Sequence, residues 1–242
     1  MKKYLILFYF IFIIPLWAYE RSMVNLHLPA ELKPWRMQFT IQHRFYGRLN
    51  DKPFETFFGA QAGANVGLRL RYAFPYSLEA SWQYIFSQKE WLLGISYHKS
   101  WKKFGSAQIE AHYMSLKPPY PKTDRESGLF FQLDLKGPFF LKRITPVVNA
   151  AYDTYLEKSG VGFGLDLAIS KKIALIGEYY PPLNPDNDEK SVTVFGIVFK
   201  TYGHHFIIQA ANGYQFTTRR LMRGSNEEHF YLGFTIHRLL GS

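Results

Sequence analysis

The sequence predicts an all-β fold, a transmembrane antiparallel up-and-down β-barrel of about twelve strands. Three observations carry that reading. Apolar and polar residues alternate with period two in many segments separated by turn signals, the pattern of strands that face lipid on one side and a polar interior on the other. Beyond the first eighteen residues no stretch approaches the roughly 20 consecutive apolar residues of a membrane helix. Aromatic residues make up 18% of the chain, with 22 Phe and 17 Tyr, and many fall near strand ends, where interfacial girdles form. The mean hydropathy of -0.17 agrees, because alternation averages to a modest value while still building an apolar outer wall.

The first element is not a strand. Met1, Lys2 and Lys3 precede an uncharged run from Tyr4 to Pro15 and then Leu16, Trp17 and Ala18, the charged start, apolar middle and small end of a signal peptide. Residues 1–18 are therefore expected to direct export, and residues 19–242 to form one barrel domain in the outer membrane of a Gram-negative cell. With no cysteine in the chain, disulfides and thiolate metal or redox chemistry are excluded. The net charge of +10 is spread along the sequence rather than clustered, which argues against nucleic acid as a partner. The expected partners are outer-membrane lipid, lipopolysaccharide and the machinery that inserts barrels. No cofactor is implied.

Met37 to Phe45 shows the alternation in full: Met37, Phe39, Ile41 and Phe45 interleave with Gln38, Thr40, Gln42 and Arg44. Val66 to Tyr72 sets Arg69 and Arg71 opposite its apolar face, and Leu78 to Phe86 sets Glu79, Ser81 and Gln83 there. Trp91 to Trp101 and Ala107 to Tyr113 follow, with His98, Glu110 and His112 on the polar side. Further strands are expected over Leu129–Leu135, Ile144–Tyr152, Val161–Ile169, Ile173–Tyr180, Ser191–Lys200, His205–Asn212 and Phe230–Leu239. Alternation is less regular between Ile173 and Val198, and Pro146 cannot donate to a ladder. Short and long connections alternate, which places both termini in the periplasm and the long loops outside.

The segments His43-Arg44-Phe45, Gly63-Ala64-Asn65 and Tyr72, with the later Gly203-His204-His205-Phe206, Gln209 and Asn212, resemble an uncharacterised family of Gram-negative outer-membrane β-barrels whose members carry a domain of unknown function. The resemblance implies a barrel and supplies no catalytic residues. The doubled histidine at His204 and His205, and Tyr46 in place of a glycine, depart from its pattern.

Charge on the inner face is the most informative functional signal. Arg44, Arg69, Arg71, Glu79, Glu110, Asp134, Asp166 and Glu178 all fall on the non-lipid side and are expected either to plug the lumen as a salt-bridge network or to line a narrow pore. Arg219, Arg220 and Arg223 in the last outer loop are candidates for binding the phosphates of lipopolysaccharide. The Phe54 to Asn65 loop is too apolar to extend freely into water and is expected to fold back, inward across the mouth or outward as a partner surface.

Histidines invite a metal reading, but no two have helix or hairpin metal spacing, so no metal site is assigned. Ser96 and Ser100 share a face with His98, near His112 on the next strand, yet no nucleophile elbow or oxyanion motif accompanies them. The reading is a non-enzymatic barrel, a narrow channel or an envelope scaffold. A barrel-embedded lipid hydrolase and a soluble lipocalin-like binding barrel are the alternatives.

Overall fold

A computed structural model describes residues 23–29, 32–101, 104–118, 124–138, 143–183, 185, 189–201 and 203–240. The expected signal peptide, residues 1–18, lies outside them. Twelve strands close into one antiparallel barrel: β1 (Met37–Arg48), β2 (Ala64–Ala73), β3 (Leu78–Ile85), β4 (Glu90–Trp101), β5 (Gly105–Leu116), β6 (Glu126–Lys136), β7 (Ile144–Asp153), β8 (Lys158–Ala168), β9 (Ile173–Tyr180), β10 (Val192–Thr201), β11 (His204–Asn212) and β12 (Phe230–Leu240). Each strand pairs with its sequence neighbours, and β1 closes on β12 with Met37 opposite Leu240. Closure leaves no edge, the condition for placing a sheet in lipid.

The side chains are arranged inside out relative to a soluble domain. Ile95 on β4 is 69% exposed, and Leu93, Tyr97, Leu133, Phe195 and Ile197 also face outward, while Gln38, Thr40, Gln42, Glu110 and Asp134 are buried. Arg44 is 0% exposed. An apolar outer wall around a polar interior is the arrangement a bilayer requires, and no described helix is long and apolar enough to cross one.

Connections at the end that holds residues 37 and 240 run over 74–77, 102–104, 137–143, 169–172 and 202–203; those at the other end, which the sequence reading assigns to the outer face, run over 49–63, 86–89, 117–125, 154–157, 181–191 and 213–229. Pro146 is accommodated at the end of the β6 ladder, where its carbonyl still accepts from Gly137 N at 2.9 Å and its missing N–H costs only the last bond of the pair.

One half of the lumen differs from the polar interior the sequence suggests. The inner faces of β9 to β11 are largely apolar: Ile176, Tyr180, Val192, Val194, Val198 and Ile207 pack into a single cluster with Met23, Val24, Leu26 and Leu28 of the N-terminal segment. That segment, residues 23–29, lies inside the barrel without regular secondary structure. Each large apolar side chain removed from water there contributes about 1.5–3 kcal/mol. β8 makes room for it with Gly162 and Gly164, where any Cβ would run into the Leu26 side chain. The irregular alternation after Ile173 thus records strands that are apolar on both faces, lipid outside and plug inside.

Candidate functional site

Two inserted pieces occupy the lumen, each held by the strand residues that face it. The first is the N-terminal segment. Its turn presents donors to Glu178 on β9: the Asn25 and Leu26 main-chain N–H groups donate to Oε1 at 2.8 and 3.2 Å, and Asn25 Nδ2 donates to Oε2 at 2.8 Å. The Tyr180 hydroxyl donates to the same Oε2 at 3.0 Å, completing the shell of a buried carboxylate. Asn149 on β7 holds the next residue from both sides, accepting from His27 N at 2.7 Å and donating to His27 O at 3.0 Å. Across the lumen, Gln42 on β1 donates to Val24 O at 2.9 Å.

The second piece is the last outer loop, 213–229, which folds into the outer half of the barrel and contains the one-turn helix α1 (Thr218–Leu221). Phe216 and Leu221 are buried there, and Phe216 fills the space that Gly67 on β2 leaves open. Arg219, only 3% exposed, pairs with Glu90 at 2.9 Å and Asp153 at 2.6 Å, and Arg220 pairs with the second oxygen of Glu90. Arg223 pairs with Glu189 at 2.9 Å, and Lys158 reaches the other oxygen of Glu189 at 3.2 Å. For Arg219 and Arg220 the expected lipopolysaccharide contact is corrected: α1 carries them into the lumen, where buried carboxylates neutralise them. Arg223 pairs with the neighbouring loop while its side chain stays 43% exposed. The aromatic loop after β1 behaves oppositely: Phe54 is 89% exposed and Phe57 is also exposed, so it does not constrict the mouth.

The inward charges that the alternation identifies occupy distinct stations. Arg71 binds Glu79 through Nε and Nη2, at 3.1 and 2.6 Å, and donates to Gln38 at 3.1 Å. Arg69 lies 3.8 Å from Glu110 and 3.3 Å from His27 Nδ1. Glu110 is the centre of this group: Oε1 bonds His27 Nδ1 at 2.8 Å and Gln108 Nε2 at 2.7 Å, and Oε2 bonds His112 Nε2 at 2.8 Å. Burial, with the Arg69 guanidinium beside it, lowers the His27 imidazole to about 4, so the ring is neutral at physiological pH. Asp134 is buried on β6, diagonal to Glu110, and accepts from Gln132 at 2.5 Å; Asp166 is buried opposite Thr145. Glu178 serves the plug rather than another charge on its own strand.

Arg44 and Asn65, within the segments that carry the family resemblance, converge on the inserted loop. Arg44 Nη1 donates to Gly213 O at 2.9 Å, and Asn65 Nδ2 donates to Tyr214 O at 3.3 Å. Asn212 clamps β10, accepting from Thr193 N at 2.6 Å and donating to Ser191 O at 2.8 Å. These motif positions thus fix the root of the loop that fills the outer lumen. Sequence reading missed the plug residues, above all Asn25 and His27, because a short irregular segment has no periodicity to reveal it. The surplus of apolar residues on β9 to β11 was the available signal.

Comparison with known proteins agrees with this architecture. Residues 140–240, covering β7 to β12, match the model of a family described as a membrane bound beta barrel domain (DUF5777). The chain is a membrane β-barrel of the outer-membrane type. Among solved structures it is similar to the KdgM porin, with a TM-score of 0.54 and 6% identity over 84% of this chain and 98% of that one. It is equally similar to an outer membrane phospholipase from Salmonella typhi, solved as a dimer with bound calcium, with a TM-score of 0.54 and 12% identity over 89% and 95% of the two chains. The corresponding phospholipase from Escherichia coli gives a TM-score of 0.52 and 12% identity over 86% and 94%. At such identities the likeness is one of fold, and that fold serves both a porin and an enzyme. No curated protein matches the chain.

Proposed function

We propose that this barrel is a non-enzymatic, narrow channel of the outer membrane, held closed by its N-terminal segment. The observation that carries the reading is the composition of the surface the segment covers. On the β1 to β3 side it faces Gln38, Thr40, Gln42, Arg69, Arg71 and Gln83, and a cavity of about 40 Å³ lies between. That is room for a few water molecules and nothing larger. A purely structural filler is best packed against an apolar wall, as this segment is on β9 to β11; a wall of amides and guanidinium groups on the opposite side is the lining of a wet passage. Displacement of the segment widens that seam, and loop 213–229, which shares Asn25 with it, moves as well to open the other end.

The serine–histidine set on β4 and β5 does not support the enzymatic alternative. Ser96 and Ser100 form no hydrogen bond with His98 or His112 among the described residues, and His112 is committed to Glu110. Planar-bilayer recording tests the channel directly. The protein has no native cysteine, so Leu26→Cys with Gly164→Cys places a single disulfide between plug and wall. Reduced protein is expected to show discrete conductance steps that disappear on oxidation and return with reductant. Equal silence in both redox states, together with silence of the Glu178→Gln variant, refutes a channel.

A further inference from the structure

We propose that His27, Glu110 and His112 form a binding site for a divalent transition-metal ion of the zinc class, and that the ion locks the N-terminal segment to the barrel wall. Two imidazole nitrogens and a carboxylate oxygen are a ligand set suited to such ions. The three ligand atoms lie within 4.8 Å of one another and all three residues are buried. The nearest pairs are 2.8 Å apart. Metal–ligand bonds of about 2.0–2.2 Å put neighbouring ligand atoms roughly 3.3 Å apart in a tetrahedron, so small ring rotations bring the cluster to coordination distance.

A hydrogen-bonded His–Glu–His cluster does not by itself demand a metal. The neighbouring atoms supply the second reason. Gln132 directly opposes Glu110 across the β5–β6 ladder, and its Oε1 is buried without a partner. Asp134 Oδ2, on the same strand as Gln132 and wholly buried, also has none. The orphaned atoms on this part of the wall are therefore oxygens. Two buried acids, Glu110 and Asp134, lie together beside one guanidinium, Arg69, which sits 3.8 Å from Glu110. Crowding two buried acids is costly, and added positive charge at this point relieves it. Arg69 is also the main opposing influence, since it lies 3.3 Å from His27 Nδ1 and repels an incoming cation. Transfer of Arg69 from Glu110 to Asp134 as the metal takes Glu110 removes that conflict.

The site spans two pieces of the protein. Glu110 and His112 belong to β5, whereas His27 belongs to the plug. Occupation is possible only with the plug seated, and by linkage the ion stabilises the seated state. Binding itself does not depend on the barrel being a channel, so failure of one reading is distinguishable from failure of the other.

The test uses the full barrel in detergent micelles, titrated calorimetrically with Zn²⁺ and, for geometry, with Co²⁺ followed by its visible absorption. One equivalent is expected to bind, with at least a tenfold loss of affinity in His27→Ala and in His112→Ala and none in His229→Ala, which changes a histidine outside the cluster. Heat-modifiable migration identifies variants that retain the barrel. Hydrogen exchange of the amides of residues 23–29 gives the second readout: Zn²⁺ is expected to slow it at least tenfold in the unaltered protein and not in His112→Ala. Absence of stoichiometric binding, or binding that both histidine variants retain, overturns the site. Binding without slowed exchange overturns the lock.

Discussion

Replacement of Glu178 by glutamine perturbs the plug at its strongest anchor while leaving side-chain volume almost unchanged. The carboxylate accepts four hydrogen bonds, two from the main-chain N–H groups of Asn25 and Leu26 on Oε1 and two from Asn25 Nδ2 and the Tyr180 hydroxyl on Oε2. An amide oxygen at the first position still serves both main-chain donors, but the amide nitrogen at the second meets two donors. Rotation of the tyrosine hydroxyl relieves one conflict. Turning the Asn25 amide relieves the other at the expense of its Oδ1, which accepts from Thr217 N at 3.4 Å. Hydrogen bonds to charged groups contribute about 1.5–3 kcal/mol each, so the seated plug loses about 3 kcal/mol after this rearrangement, roughly a hundredfold in its docking equilibrium. The assay is maleimide labelling of Val24→Cys, a residue 2% exposed when the plug is seated and hydrogen-bonded through its carbonyl to Gln42 rather than to Glu178. With closing fast relative to labelling, the rate follows the unseated population, and it should rise roughly a hundredfold in the Glu178→Gln background. An unchanged rate in a barrel that still shows heat-modifiable migration refutes the assignment of Glu178 as the anchor.

Three further predictions follow from the inserted loop and its root. Arg219→Ala removes a buried cation from Glu90 and Asp153, a loss of about 3–5 kcal/mol for a buried ion pair, and should expose residues 213–229 to proteinase K in proteoliposomes; cleavage no faster than in the parent rejects the inward placement. Gly67→Val drives a side chain into the Phe216 ring, and overpacking of about 1–3 kcal/mol should displace the loop with the same increase in cleavage, measurable alongside retained barrel migration. Asn212→Ala deletes two hydrogen bonds that tie β10 to β11 at the outer rim, about 1 kcal/mol each, and should lower the urea midpoint of unfolding in micelles without altering loop cleavage; an unshifted midpoint counts against the clamp.

The barrel was legible because alternation is a local property. Each strand must present lipid-compatible groups at every second residue, so β1 announces itself through Phe39 and Ile41 against Thr40 and Gln42, with no knowledge of its neighbours. Inward charges such as Arg44 and Glu110 follow from the same phase. What fills the lumen is not local. His27 and Glu110 are 83 residues apart and Asn25 and Glu178 are 153 apart, contacts that closure of the barrel creates and that no spacing rule anticipates. Arg219 and Arg220 of the last loop escape the sequence pattern for a related reason. A basic loop at the rim reads as a surface for phosphates until Glu90 and Asp153, from strands distant in sequence, are seen to lie beneath it.

The two inserted pieces also touch each other, and this contact carries a consequence for gating. Thr218 Oγ1 in α1 donates to Asn25 O at 2.8 Å, and Thr217 N donates to Asn25 Oδ1 at 3.4 Å. Asn25 is thereby shared: its amide nitrogens bind Glu178, while its oxygens bind the loop. Leu221 and Met222 belong to the same apolar cluster as Val24 and Leu26. Residues that share partners are energetically coupled by about 0.5–3 kcal/mol, so the loop and the plug should not leave independently. Arg219→Ala changes no contact of Val24, yet it should raise the labelling rate of the Val24→Cys variant about tenfold, and its effect combined with Glu178→Gln should fall short of the sum of the two alone. If Arg219→Ala frees the loop to protease and leaves the labelling of the Val24→Cys variant unchanged, the outer loop and the N-terminal segment are separate closures, and a ligand acting on the outer face has no route through Asn25 to the plug.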